Sequence, residues 1–502
     1  MKTYYKKNYH NDHLTPAKAR FLLIFVVAIV FGVTSCKKFI QIPPPETKLV
    51  TASVFNNNTG ATQAQTNIYV QMWNAFESYY MEFNTGLYSD ELQVPNAATP
   101  GVSPIVYYTN SLVANNNYWG FWSSAYPYIY DANAVINGLQ TTAGCSPAVK
   151  KQLTGEAYFI RAFWHFYLTN IYGDVPLVLT TDYNNNDRIV RTSRIQVLQQ
   201  VVADLQNAQT LLNTNYVDIT DTVTTSERVR PNKSAATALL ARVYLYLGDY
   251  AKDATQYTNA DIASTTVISN SAYGLSPLSG AGSVFQKNSS EAIWQLQTPL
   301  KSGSAGEDTP DGFEFVLTGA PLTGQFQSAI ISPQLMSSFE PNDQRWTNWV
   351  GSFTTTTTPK ITYYFPYKYK NRTYLNQEYV MMLRLGEQYL IRAEAEVHEG
   401  KITNAISDLN TIRQRAGLSV YAGATDQASL LTAILHERQI ELFAEWGHRW
   451  LDLGRTGNAA AVMSLITPLK GGIWASDNHQ LLFPISTTEI GKNPSLTQNP
   501  GY

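Results

Sequence analysis

Residues 235–254 read AATALLARVYLYLGDYAKDA and residues 389–409 read YLIRAEAEVHEGKITNAISDL. In both, a run of alanines and larger apolar residues at helical spacing reaches a glycine seven residues after a shared alanine, Ala241 to Gly248 and Ala393 to Gly400. Small alanines let two helices approach closely, and a glycine can end the first of them because it tolerates a left-handed backbone. Each stretch is therefore expected to fold as a helix–turn–helix hairpin, with Gly248 and Gly400 as the stops. The register of the second helix drifts by one residue between the copies, so the repeat is degenerate.

Outward from these hairpins the helical signal continues. Leu153, Ala157, Ile160, Trp164, Tyr167, Leu168 and Ile171 recur at spacings of three and four, which makes one apolar stripe that should stop at Gly173, with Pro176 just beyond. Ser193 is placed to cap another helix running through Val197, Val201, Leu205, Ala208 and Leu212. Trp119 and Trp122 lead into Tyr126, Ile129 and Ile136 at helical spacing, so they read as core, as do Trp164 and Tyr167. The paired helices have the look of tetratricopeptide repeats. The fold class expected is mainly α, with paired helices over residues 50–260 and 378–455. A loop-rich insertion with short strands occupies about 261–377, including a strand at Ala292-Ile293-Trp294-Gln295-Leu296, and a tail follows at 456–502.

The N-terminus reads as an export signal. A basic stretch ending in Lys18 and Arg20 precedes the apolar run 21–33, which closes in Val33-Thr34-Ser35-Cys36. That run is short for a permanent bilayer span. Small residues before a cysteine suit a lipoprotein signal peptidase, so residues 1–35 are expected to be removed and Cys36 to carry lipid, with residues 36–49, including Pro43-Pro44-Pro45, as a stiff tether. Cys145 is then the one cysteine left, which leaves no disulfide and suggests a packed thiol. The residues before Cys36 carry a net +4 of a chain total of −2, leaving −6 for the remainder. That balance disfavours nucleic acid, whose binding relies on neutralising phosphates.

Few residues suggest chemistry. Glu445-x-x-His448 has the spacing of half a di-iron site, but no second copy follows Cys36, and Ile440 stands where a zinc-protease motif starting at His436-Glu437 would need histidine. Glu437, Glu441 and Arg449 are expected instead to lock helices through charged hydrogen bonds. Asp90, Glu91 and Asp343 are carboxylates that a glycosidase could pair, yet spacing alone brings none of them together. Neither a nucleophile elbow nor a phosphate-cradling loop is present. The expectation is a protein with no catalysis, no cofactor and no metal.

Four signatures, in order along the chain, resemble the SusD/RagB family. Gly155-Glu156-Ala157 with Arg161-Ala162-Phe163 and Tyr172-Gly173-Asp174-Val175-Pro176 is the first. Leu383-Arg384-Leu385 with Glu387, Tyr389 and Arg392-Ala393-Glu394-Ala395 is the second. The third is Glu437-Arg438, Glu441-Leu442, Glu445, Gly447-His448-Arg449-Trp450, Asp452-Leu453 and Arg455, and the fourth runs from Phe483-Pro484-Ile485 to Gln498-Asn499-Pro500-Gly501-Tyr502. The resemblance implies four tetratricopeptide-type helix pairs in an outer-membrane, lipid-anchored, cell-surface protein. It also implies capture of oligosaccharides, or of peptides in some branches, for a SusC-like TonB-dependent transporter. It carries over no ligand residue. Rings in the non-periodic loops are therefore the candidates: Tyr107 and Tyr108 with Asn110, and Phe313 and Phe315, which could stack on a sugar while amide side chains take its hydroxyls. The competing expectation is an adaptor whose repeat helices bind a protein partner and whose loops touch no nutrient.

Overall fold

The computed structural model describes residues 54–95, 103–115, 120–299, 306–324 and 326–502; the signal segment, Cys36, the proline spacer and Trp119 lie outside them. Eight helices form one continuous array: α1 (Asn58–Asn74), α2 (Phe121–Thr141), α3 (Pro147–Tyr172), α4 (Arg194–Leu211), α5 (Lys233–Ala251), α6 (Ala254–Ile268), α7 (Leu385–His398) and α8 (Ile402–Arg415). Each packs against the next in this order, so the architecture is the expected run of antiparallel helix pairs.

Local chemistry sets the helix ends. Ser146 and Ser193 accept from the backbone N–H of Val149 and Gln196, with Pro147 at the first turn of α3. Gly173 ends α3 at φ 77° and ψ −122°, which a side chain could not adopt without strain. Gly400 follows α7 at φ 76°, as expected of a stop. Gly248 differs: α5 runs past it to Ala251, and Lys252 takes the left-handed position. The reason for glycine there is close approach, since a Cβ on residue 248 would sit 2.8 Å from the ring of Tyr257 on α6.

Charged forks cross the seams between helices. Arg161 of α3 grips Asp204 of α4 at 2.8 and 2.6 Å, Arg242 of α5 grips Glu387 of α7, and Arg392 of α7 grips Asp408 of α8. Planar guanidinium–carboxylate pairs fix orientation as well as distance, so these forks set the register of one helix on its neighbour. Apolar burial supplies the bulk of the cohesion; Trp164, Tyr167 and Trp294 are fully buried and Trp122 nearly so.

The segment before α7 packs on the array as short strands and turns. Ala292–Leu296 pairs antiparallel with Val380–Arg384, which leads without a break into α7, so the insertion is anchored to the scaffold at that strand pair. A hairpin of Val350–Thr354 and Thr362–Pro366 projects from it, and Leu92–Gln93 pairs with Ile330–Ile331. Among the described residues, no helix is long and apolar enough to cross a membrane.

Candidate functional site

The stretches that carry the candidate rings fold as short helices, Ser103–Tyr108 and Pro310–Phe315, and the second meets the helix Glu77–Tyr88 through Phe315, whose ring lies 5.0 Å from that of Tyr79. The five candidate residues, however, do not form one site. Phe315 is 3% exposed and packed edge-on against Tyr79 near the start of the Glu77–Tyr88 helix. Asn110, at φ 54° and 1% exposed, donates to the carbonyl of Tyr88 at the other end of that helix and accepts from the Thr467 hydroxyl. Tyr79 and Tyr88 stand nine residues apart along that helix, roughly 14 Å. Tyr107 is buried beside Phe483. Tyr107, Asn110 and Phe315 are therefore core groups, because rings in non-periodic segments also fill the space beneath those segments. Tyr108 and Phe313 keep part of their surface, the first under the Lys470 ammonium and the second under the Arg372 guanidinium, at 5.4 Å in each case.

A ring-bearing cleft lies elsewhere in the insertion. Ser332 caps the short helix Pro333–Ser338 by accepting from Leu335 N–H, and Asp343 caps the helix Gln344–Trp349 by accepting from Arg345 N–H. Between them the turn Glu340-Pro341-Asn342-Asp343 closes with Asp343 N–H on the Glu340 carbonyl and Asn342 at φ 69°. This turn and its flanks enclose a cleft of about 410 Å³ lined by Met336, Phe339, Asn342, Gln344, Trp346 and Thr347, among others. Trp346 is half-buried between Phe339 and Tyr364, with ring centroids 5.3 and 5.2 Å away. Asn342, Gln344 and Thr347 are exposed beside it.

The floor of the cleft is held by charge. Arg345, 1% exposed, donates to Asp343 at 2.8 Å, to Glu437 at 2.6 Å and to Glu441 at 3.1 Å. Glu441 also accepts from Arg384 at 2.6 Å and from Arg415; despite the cost of burial, these guanidinium groups hold its carboxyl well below the usual range. Glu340 takes a fork from Arg413 at 2.6 and 3.0 Å, and that pairing lowers its pKa. The cleft residues are thus fixed before any ligand arrives, which limits the ordering cost of binding. Half-exposed rings beside amide and hydroxyl groups can take the apolar face and the hydroxyls of a neutral sugar.

Most of the groups that resembled chemistry are engaged in ion pairs, Glu91 being an exception whose buried Oε1 meets no partner among the described residues. Glu445 accepts from Arg384 through both oxygens and also from Lys368, while burial and surrounding arginines push the His448 imidazole well below its usual pKa. Asp90 is forked by Arg449 at 2.7 Å on each oxygen, and Asp343 by Arg345. Asp249, Glu394 and His398 come close enough to hold an ion, but Arg455 donates to both carboxylates and fills the cation's place, while His398 lies flat on Tyr257 at 3.8 Å. Cys145 is buried, its thiol facing the Phe55 carbonyl.

Comparison with known proteins gives a consistent family. Residues 334–502 match the SusD family, and residues 48–245 match the family described as "Starch-binding associating with outer membrane". SusD-like protein P25 of Formosa agariphila is 24% identical, over 96% of this chain and 99% of its own length, and SusD-like protein P2 of the same organism is 27% identical over 76% and 80%. Among solved structures, a SusD homolog from Bacteroides thetaiotaomicron superposes with a TM-score of 0.74 at 19% identity, covering 91% of this chain and all of that one. A laminarin binding SusD-like protein superposes at 0.72 and 23% identity, covering 89% and 100%.

Proposed function

This chain belongs to the SusD family, and we propose on that footing that it is a cell-surface lipoprotein that captures oligosaccharides and passes them to a SusC-like TonB-dependent transporter. In this proposal residues 1–35 are the export signal, residues 36–49 a tether anchored by lipid on Cys36, and residues 50–502 a single binding body in the outer membrane's outer face. One of the two matched family descriptions names starch binding and the outer membrane, and a structural relative is named for binding laminarin, which supports a glucan-type ligand.

The observation that carries the reading is the Trp346 cleft. Its rings are half-exposed and pinned from beneath by the Arg345 ion pairs, while its exposed polar groups are uncharged amides and a hydroxyl, apart from Glu340, which Arg413 neutralises. Such a surface favours a neutral, ring-shaped ligand over a charged one. In this proposal the ligand leaves the cleft unaltered.

Titration calorimetry of the purified chain with starch and laminarin oligosaccharides, and with mixed peptides, tests the proposal. Heat of binding from a glucan series is expected. Silence towards every oligosaccharide and every peptide would refute it, and co-purification with a transporter from native membranes tests the delivery step.

A further inference from the structure

A second cavity, of about 340 Å³, lies far along the chain from the Trp346 cleft, where the start of α4 and the end of α5 meet the helix His448–Arg455 and the C-terminal tail. Its walls include Tyr250, Trp450, Leu451 and Leu482, and its rim carries Asp477 and His479. Arg194 enters from the first turn of α4. Its guanidinium lies 4.3 Å over the Tyr250 ring and donates through Nε to the Thr169 carbonyl, but neither of its terminal nitrogens meets an acceptor among the described residues. Trp450 is 2% exposed and its indole N–H likewise finds no acceptor among them.

The other polar groups of the wall are engaged. Asn170 accepts from the Tyr250 hydroxyl and donates to the Phe166 carbonyl, Asn478 accepts from the Trp474 indole, and the Asp477 carboxylate accepts from His479 at 2.6 Å. What remains inside the cavity is the free fork of Arg194 and the Trp450 N–H, backed by apolar surface, while the one carboxylate, Asp477, stands exposed at the rim against His479. A planar guanidinium with two free terminal nitrogens matches a carboxylate at two points. The size falls at the lower end of small-molecule pockets.

Gly454 adds an independent observation. It lies within the helix His448–Arg455, where glycine costs about 1 kcal/mol relative to alanine. It has no left-handed backbone to excuse it, and a Cβ there would meet one atom within 4 Å, the Tyr250 hydroxyl at 3.9 Å. Neither backbone nor packing demands glycine; its effect is to leave the cavity open.

The geometry points to a binding site for the carboxylate of a small organic ligand, held by Arg194 and the Trp450 N–H. The carboxylate could come from a uronic-acid unit of a glycan or from the C-terminus of a short peptide. The site does not depend on glycan binding at the Trp346 cleft.

The full chain is titrated with methyl glucuronoside, methyl glucoside, N-acetyl-glycyl-alanine and its C-terminal amide. One acid, or both, is expected to bind about tenfold or more tightly than its neutral partner; a uronoside response alone identifies a sugar acid, and a peptide response alone a chain end. Arg194→Gln should weaken that binding by about tenfold. Gly454→Leu should abolish it while leaving thermal stability equal or higher, and Trp346→Ala should leave it unchanged. Equal affinity for acid and neutral forms, no binding of either acid, or acid binding that survives Gly454→Leu would overturn the inference.

Discussion

Arg242 and Glu387 are joined at two points, Nε to Oε1 and Nη2 to Oε2, each at 2.6 Å, with both side chains almost wholly buried. The fork ties α5 to α7 across the strands and turns of the insertion, and the Tyr167 hydroxyl of α3 takes a third guanidinium donor at 3.0 Å. Losing one partner leaves the other charge in the core without compensation. Arg242→Met is therefore expected to lower the unfolding free energy by about 3–5 kcal/mol, whereas Arg242→Met with Glu387→Leu recovers most of that loss. Denaturant titration of the single and double variants measures both, and a double variant no more stable than the single would show that the fork is not the source.

Glu77 gives the protein a pH dependence of known sign. It is 3% exposed, and burial lifts its carboxyl from 4.5 to about 7 against the hydrogen bonds from Ser124 and Tyr128. Between those two pH values the folded chain keeps a proton that the unfolded chain has released, so stability falls as pH rises through that window. Burial moves Glu91 the same way, to about 8. Glu77→Gln keeps an acceptor for the Tyr128 hydroxyl without the titration. Relative to the native chain it should gain stability between pH 5 and pH 8, on the order of 3 kcal/mol. Urea melts at the two pH values decide the point; a variant whose difference from the native chain is the same at both would contradict it.

Two glycines separate backbone need from open space. Gly173 has φ 77° and ψ −122°, and a Cβ there would lie 2.8 Å from Leu482, so Gly173→Ala should cost about 1–3 kcal/mol. Gly454→Ala has ordinary backbone and free space, and should be neutral or stabilising by up to about 1 kcal/mol. Thermal unfolding should fall for Gly173→Ala and stay equal or rise for Gly454→Ala.

These glycines also show how far the sequence could be read. The stripe from Leu153 to Ile171, the cap at Ser193 and the stops at Gly173 and Gly400 follow from local rules, and each is found where those rules put it. Gly248 obeys a non-local rule, the approach of Tyr257, so a local reading mistook it for a stop. The same limit applies to function. Tyr107 and Phe315 look like loop rings in the sequence, but Phe483 and Tyr79, distant in the chain, enclose them. The Trp346 cleft is not legible in the sequence because Phe339, Trp346 and Tyr364 share no period. The turn residues Pro341-Asn342-Asp343 between two short apolar runs were the one local signal available.

The proposed lipid anchor is on Cys36. Cys36→Ser removes the residue that both the lipid and the signal peptidase need, so it should abolish incorporation of labelled palmitate and leave residues 1–35 attached, with no effect on glycan affinity in solution. Label retained by Cys36→Ser, or residues 1–35 removed from it as from the native chain, would contradict acylation at Cys36.

The Trp346 cleft makes the most direct claim about the ligand. Trp346 is wedged between Phe339 and Tyr364 and rests above the Arg345 lock, so its ring is oriented before binding, and its removal should take away contact area without collapsing the turn. Stacking contributes on the order of 1 kcal/mol beyond simple burial. Trp346→Ala is expected to weaken glucan binding by about tenfold or more, and Trp346→Phe by less, because the smaller ring retains a face. Phe313→Ala tests the other half-exposed ring. If Phe313→Ala abolishes binding while Trp346→Ala leaves it intact, the glycan sits beside Arg372 at the junction of the two loop segments, and the cleft has another role.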